Sequence, residues 1–363
     1  MATVAVDGSG DAYVGGTTDS ADFPVRYPIQ STLMALVCDS FTPSGSIATG
    51  EYSCPSAGFL SVLNPDGKGL VWSTYLGSGT VYGVALDSSG DVYATGTKIA
   101  VSAPKAGAAA GVVKIAPGAS ALDVPANSFQ NAASYAPGLP LPGGLASVYV
   151  RGLDIAGTML AGGSPIPTQL AGVSILVNGV AAPILAIAPL ANGAQQINFQ
   201  IPFGALSVNN SLDLDQIYTV EIQYRGSPVF AFLGITGPGV FSLSDGTPAI
   251  QHSADYSLVT PSNPAQPGET IIVYGTGLGQ VSPVVPSGVA ASGPAAVTAC
   301  KPVAFETGIS YEVVAPSSYA GLTPGAVGFI RSTFSSRRTC PPELQNLSFH
   351  RIAAAPMLPR PPI

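Results

Sequence analysis

At 363 residues the chain is long enough for two or three domains with sizeable cores, and its charge is sparse, with 13 Lys+Arg against 20 Asp+Glu, a net −7 and 9% charged residues. So few basic residues cannot form a positive stripe, which argues against a nucleic-acid partner, and no apolar run approaches the roughly 18 residues of a membrane helix. Gly (43) and Pro (34) are abundant, but 46% apolar residues and 14 Tyr argue for packed short strands joined by turns rather than for disorder, so an all-β fold is expected.

The opening MATVAVDGSGDAYVGG has neither a basic n-region nor an apolar h-region. No signal peptide is therefore expected, and Met1 runs straight into a repeat-like strand, as if the chain began inside a larger protein. VAVDGSGDAYVGGTT (4–18) recurs at an offset of 80 as VALDSSGDVYATGTK (84–98). Each copy reads as strand, D-x-S-G-D turn, strand: Gly takes positive φ, and Asp bonds the nearby backbone. Asp7, Asp11, Asp87 and Asp91 offer oxygen ligands, but without the loop length and terminal Glu of an EF-hand. They are read as turn residues, and no metal site is expected.

Cys38 and Cys54 lie 16 residues apart in a polar insertion. They are either a loop-closing disulfide of an oxidising compartment or two free thiols. No CxxC spacing supports zinc. GFLSVLNPDGKGLVWSTYLG (58–77) reads as a hairpin turning at NPDGKG, with Trp72 and Tyr75 toward a core. The same two rings are the candidates for stacking on a sugar. GVVKIAP (111–117) repeats the strand type once more.

These phrases, with DFPV (22–25), resemble the SBBP-type β-propeller repeat of secreted bacterial proteins. The resemblance implies a partial propeller over residues 1–120. About two blades' worth of strands is present, against the roughly 4–8 of a closed ring.

A Pro/Gly-rich lead-in, DVPANSFQNAASYAPGLPLPGG, opens the next unit, expected over 121–245. Strands are expected at 145–153, 172–189 and 195–206, and a hairpin over 217–236 turning at Arg225-Gly226-Ser227. PGGLASVYVRGL (142–153) recurs at an offset of 125 as PGETIIVYGTGLG (267–279), opening a second such unit over 246–328. The phrases NAASYAPG, PTQLAGVSILVNGVAAPI, QQINFQIP, PGVFSL and NPAQPGETIIVYGTGLG resemble a C-terminal domain found in secreted proteins of Solibacter-like soil bacteria. That resemblance implies two immunoglobulin-like β-sandwich units akin to IPT/TIG domains, the second incomplete, and no catalytic residues.

Residues 329–363 hold five of the 13 basic residues (Arg331, Arg337, Arg338, Arg351, Arg360) and one acid, Glu343. β patterning is expected to stop here. Read two bases into Phe329 with permissible codons, the stretch spells YQVNFQLPADLPPG, a sister of QQINFQIPFGAL (195–206). The tail is therefore expected to be an out-of-frame, disordered segment, in which Cys340 and His350 are accidental. The alternative is a genuine basic tail for an acidic partner.

No catalytic constellation emerges. His252, Ser253 and Asp255 are neighbours in sequence rather than a spatial triad, and no G-x-S-x-G elbow occurs. GTGLG (275–279) lacks the spacing and following helix of a nucleotide loop. Asp213 and Asp215 read as a solvated loop rather than as paired glycosidase carboxylates. The expected function is a non-enzymatic, cofactor-free structural, adhesive or ligand-display module, extracellular or at the cell surface. A polysaccharide or a cell-surface protein is the expected partner. The alternatives are an accessory region of a secreted enzyme and a carbohydrate-binding module.

Overall fold

Three groups of antiparallel strands follow one another along the chain. The computed structural model describes residues 2–33, 56–99, 110–116, 121–205, 217–226, 228–266, 268–298, 303–307 and 312–335. Cys38, Cys54, Asp213 and Asp215 lie outside these residues, as do Cys300 and everything from 336 onward. Among the described residues there is no helix, and every pair of named strands is antiparallel.

The first group holds β1 (Thr3–Val6), β2 (Ala12–Thr18), β3 (Ala57–Leu63), β4 (Leu70–Leu76), β5 (Thr80–Leu86), β6 (Val92–Thr97) and β7 (Ala110–Ile115). They form two up-and-down meanders, β1-β2-β3-β4 and β5-β6-β7. The turns follow from local chemistry. Gly10 and Gly90 adopt φ of 88° and 83° in the two D-x-S-G-D turns. At the β3–β4 turn, the Asn64 side chain accepts from the Gly69 N–H at 2.8 Å and Gly67 takes φ 68°.

The meanders lie face to face. Tyr13, Leu60, Val62 and Trp72 of the first meet Val81, Val92, Ala94 and Ile115 of the second in one buried core. The approach at Gly15 is close enough that an added Cβ would come within 2.7 Å of Val81, so a glycine is required there. No closed ring of sheets forms among the described residues.

The second group comprises β8 (Phe129–Asn131), β9 (Leu145–Val150), β10 (Met159–Leu160), β11 (Gln169–Leu170), β12 (Val173–Val177), β13 (Val180–Ala181), β14 (Ile184–Pro189), β15 (Gln195–Gln200), β16 (Ile217–Gln223) and β17 (Val229–Gly234). One sheet runs β10-β14-β15-β9-β8 and the other β11-β12-β16-β17. Period-two patterning puts Val173, Ile175 and Val177 of β12 on the inner face, opposite Val148, Ile197 and Phe199 of the other sheet. The result is a two-layer sandwich with the largest core of the molecule. The expected hairpin is β16–β17, with Arg225 and Gly226 at positive φ.

The third group comprises β18 (Gly239–Val240), β19 (Ile250–His252), β20 (Thr270–Thr276), β21 (Val281–Ser282), β22 (Ala295–Val297), β23 (Val303–Thr307), β24 (Glu312–Leu322) and β25 (Ile330–Ser335), in the order β18-β20-β25-β24-β22-β21. β19 also pairs with β20, as β8 pairs with β9. A second likeness becomes visible here. FQNAASYAPGLP (129–140) and IQHSADYSLVTP (250–261) make the same turn, with Tyr135 and Tyr256 at φ 58° and 59° and their N–H groups donating to the Asn131 and His252 carbonyls.

β25 corrects the expectation that β patterning stops at residue 329. It lies between β20 and β24, where β15 lies between β9 and β14. The slot asks only for alternation, and Ile330, Ser332 and Phe334 supply three buried positions. Phe334 stands where Phe199 stands, whereas Ser332 replaces the fully buried Ile197.

A seam joins the first two groups. Residues 26–32 lie between the edge strands β4 and β17. The Tyr75 N–H donates to the Gln30 carbonyl at 3.2 Å, and the Ser31 N–H to the Phe230 carbonyl at 2.8 Å. The Gln30 side chain is fully buried, accepting from the Gly77 N–H at 2.8 Å and donating to the Thr32 carbonyl at 2.9 Å. The second and third groups meet through side chain–backbone bonds: the Leu145 N–H donates to Thr276 Oγ1 at 2.8 Å, and the Gly288 N–H to Gln200 Oε1 at 2.7 Å.

Candidate functional site

The two repeat turns are built alike. Asp7 Oδ1 accepts from the N–H groups of Ser9 and Asp11, both at 2.9 Å, and Tyr13 OH donates to its other oxygen at 3.3 Å. Asp87 does the same with Ser89, Asp91 and Tyr93. These carboxylates are occupied within their own turns, and no group of three or more potential metal ligands forms among the described residues. The second turn adds Lys114, whose ammonium lies 2.8 Å from Asp91 and 3.4 Å from Asp87. Desolvation pushes the Asp87 carboxyl upward, but the Asp91 and Ser89 N–H donors together with Lys114 hold it below the ordinary value.

Trp72 and Tyr75 do not present a stacking face. Trp72 is 2% exposed and donates through Nε1 to the Tyr27 carbonyl at 2.8 Å. Tyr75 is fully buried, donates to the Ser20 carbonyl at 2.7 Å and accepts from the Phe23 N–H at 3.1 Å. Burial pushes its phenol up to about 12. The reason is local: Trp72 shares the inner face of its meander with Tyr13 and Val62, and the DFPV segment places Phe23 and Val25 against Tyr75.

His252 is set apart from Ser253 and Asp255. Its Nδ1 pairs closely with Glu269, and Nε2 faces the Asn263 carbonyl at 3.2 Å. Asp255 instead accepts from the N–H and hydroxyl of Ser257. Among the described residues, the ring's hydrogen-bond partners are Glu269 and the Asn263 carbonyl, not a hydroxyl. The Glu269 bond first, opposed by desolvation and seconded by the Asn263 carbonyl, raises the imidazole above its ordinary value. A raised folded-state value stabilises the fold fully below the unfolded value of about 6.5, and the gain is lost as pH rises through the folded value. The third group of strands is therefore expected to lose stability on going from pH about 6 toward 9, and His252→Gln to flatten that dependence. Urea titrations at several pH values check this; a wild-type profile as flat as that of the variant would refute it.

The Gly-rich stretch 275–279 ends β20, where Thr276 Oγ1 donates to the Gly328 carbonyl at 2.8 Å, so it serves as a strand end and a joint. A groove of about 260 Å³ between the seam and β17 is lined by Thr32, Leu33, Phe129 and Phe232, among others. None of the described residues that line it is ionisable.

Exposed apolar residues occur in all three groups, Leu160 and Val284 among them, and on the meanders they line up on defined faces. Register sorts their residues by face. Val4 and Val14 share one face of the first meander, with Val6 and Ala12, while Ala5 and Tyr13 share the other. The second face packs on the second meander; the first is open along β1, with Val4 64% and Val6 62% exposed, whereas across β3 and β4 the Phe23–Val25 segment covers it at Phe59 and Tyr75. The second meander likewise leaves one face open, carrying Ala85, Tyr93, Thr95, Lys114 and Val112, the last 65% exposed. Reading the sequence for motifs overlooked these valines. The signal was the repeat itself, which aligns Val4 and Val6 with Val84 and Leu86, both packed on the shared core.

Residues 2–24 match the model of a β-propeller repeat family, SBBP. No curated protein and no solved structure matches the chain.

Proposed function

We propose that this chain is a non-catalytic, secreted or cell-surface β-repeat protein. The two meanders are propeller-type blades that provide the interaction surface, and the strands from 121 onward are immunoglobulin-like units acting as spacer or anchor. The observation that carries the reading is the open apolar face at Val4 and Val6, in a repeat whose other copy covers the equivalent residues. Exposed apolar patches on otherwise well-packed domains mark interaction sites. Asp7 and Asp87 are held in their own turns and His252 is paired with Glu269, which fits a display module better than an enzyme. The purified chain is expected to give a β-type circular dichroism spectrum and no turnover on panels of ester, peptide and glycoside substrates. Saturable turnover that survives further purification would overturn the reading.

A further inference from the structure

We propose that the open faces of the two meanders bind each other between copies of this chain, head to tail. The proposal deepens the reading of the meanders as an interaction surface and rests on it. Within one chain, the face of the first meander that carries Ala5, Tyr13, Leu60 and Val62 packs on the face of the second that carries Val84, Leu86, Val92 and Ala94.

The offset of 80 transfers each face to the other repeat. Val84, Leu86, Val92 and Ala94 correspond to Val4, Val6, Ala12 and Val14, which lie at the open, β1–β2 end of the first meander's outer face. Ala5 and Tyr13 correspond to Ala85 and Tyr93 on the open face of the second. Register extends the match along the third strand: Val62 is opposite Tyr13 as Lys114 is opposite Tyr93, and Leu60 is opposite Gly15 as Val112 is opposite Thr95. Each open face is therefore the counterpart of a face already engaged inside the chain, and the two are of complementary kinds.

Several differences set the terms of the contact: Ser61 stands in place of Val113, and among the described residues the second meander has no counterpart of β4 and its Trp72. Thr95 stands in place of Gly15, so the copies approach less closely than the two meanders do within one chain. Lys114 stands in place of Val62, but its ammonium is drawn to the rim by Asp87 and Asp91 and lies 5.3 Å from the Tyr93 ring centre, so its stem extends the apolar surface. The contact is heterologous: one surface of a copy meets a different surface of the next, so association continues beyond a dimer unless it closes into a ring.

The test uses two surface variants of the full chain. Val4→Glu/Val6→Glu blocks the first open face, and Ala85→Glu/Val112→Glu blocks the second. All four positions are exposed, so both variants are expected to keep the wild-type circular dichroism spectrum. Analytical ultracentrifugation should show concentration-dependent species larger than a dimer for the wild type. Each variant alone should associate roughly 100-fold more weakly, because a buried carboxylate without a partner opposes binding. An equimolar mixture of the two should form a 1:1 dimer, since each retains the face that the other lacks.

A wild type that stays monomeric throughout the range overturns the proposal. So does a variant that still forms a homodimer, which would mean a face pairing with itself. Should the Val4→Glu/Val6→Glu chain lose its spectrum, Val4→Lys alone replaces it in the same mixture. The enzyme assays above are independent: failure to associate leaves the absence of turnover standing, and turnover leaves the association result unchanged.

Discussion

Replacing Gln30 with leucine is expected to lower stability by about 3 kcal/mol and to split one unfolding transition into two. Leucine has nearly the volume of glutamine and none of its polar atoms. The Gly77 N–H and the Thr32 carbonyl, both paired with the Gln30 side chain, would remain in a fully buried site without partners. Each buried backbone group left unpaired costs roughly 1–3 kcal/mol.

The position of the loss matters as much as its size. Residues 26–32 are hydrogen-bonded on one side to β4 and on the other to β17. The Phe232 N–H donates to Thr32 Oγ1 at 2.6 Å, two residues beyond Gln30, and Thr32 Oγ1 donates to the Phe232 carbonyl at 3.0 Å. Loosening the glutamine therefore loosens the seam between the meanders and the sandwich. Trp72 is the only tryptophan of the chain and lies in the meander core. Its fluorescence follows that part alone, while far-ultraviolet circular dichroism follows all strands. In the wild type the two urea curves of this region should coincide; in Gln30→Leu the fluorescence curve should move to lower urea. Coincident curves with a shift below about 0.5 kcal/mol would show that the seam does not couple the parts.

The seam also marks the limit of what the sequence reveals. The D-x-S-G-D turns were legible because every contact that forms them lies within six residues: Asp7 reaches Ser9, Asp11 and Tyr13, and Asp87 repeats the pattern. The β16–β17 hairpin and the alternation of β12 were legible for the same reason. Gln30 gave no such signal, since it belongs to an irregular stretch whose partner on one side is Phe230, 200 residues away.

β25 failed for a different reason. The expectation compared it with the letters of β15, whereas the slot between β20 and β24 requires only apolar or small residues at alternate positions. Ile330, Ser332 and Phe334 meet that requirement. Likewise the kinship of Asn131 and His252 was hidden by unlike side chains. Asn131 caps its turn by accepting from the Ala133 N–H at 2.9 Å, while His252 keeps the backbone turn and turns its ring to Glu269. The candidate site was missed because an exposed valine is unremarkable alone; only its covered counterpart at Val84 or Leu86 gives it meaning.

Trp72→Ala is expected to cost roughly 3–5 kcal/mol, the range for removing a large buried ring. The indole is enclosed among Tyr13, Val62 and the strands of the second meander, which lie on rigid sheets and cannot collapse into the space. Its loss also leaves the Tyr27 carbonyl without the Nε1 donor, in the same segment that forms the seam. Trp72→Phe loses the hydrogen bond and only part of the apolar contact, so a smaller cost of about 1–3 kcal/mol is expected for it.

Denaturant midpoints followed by circular dichroism measure both variants. The order wild type, Trp72→Phe, Trp72→Ala is the required result. The same residue also decides between a core and a stacking platform. A buried indole should emit at short wavelength, and its emission should not move when plant or microbial polysaccharides are added. A Trp72→Ala chain as stable as the wild type, or a saturable glycan-dependent shift in the wild-type spectrum, would place the ring at the surface. The meander core, with its closely approached Gly15, would then have to be assembled differently from the packing described here.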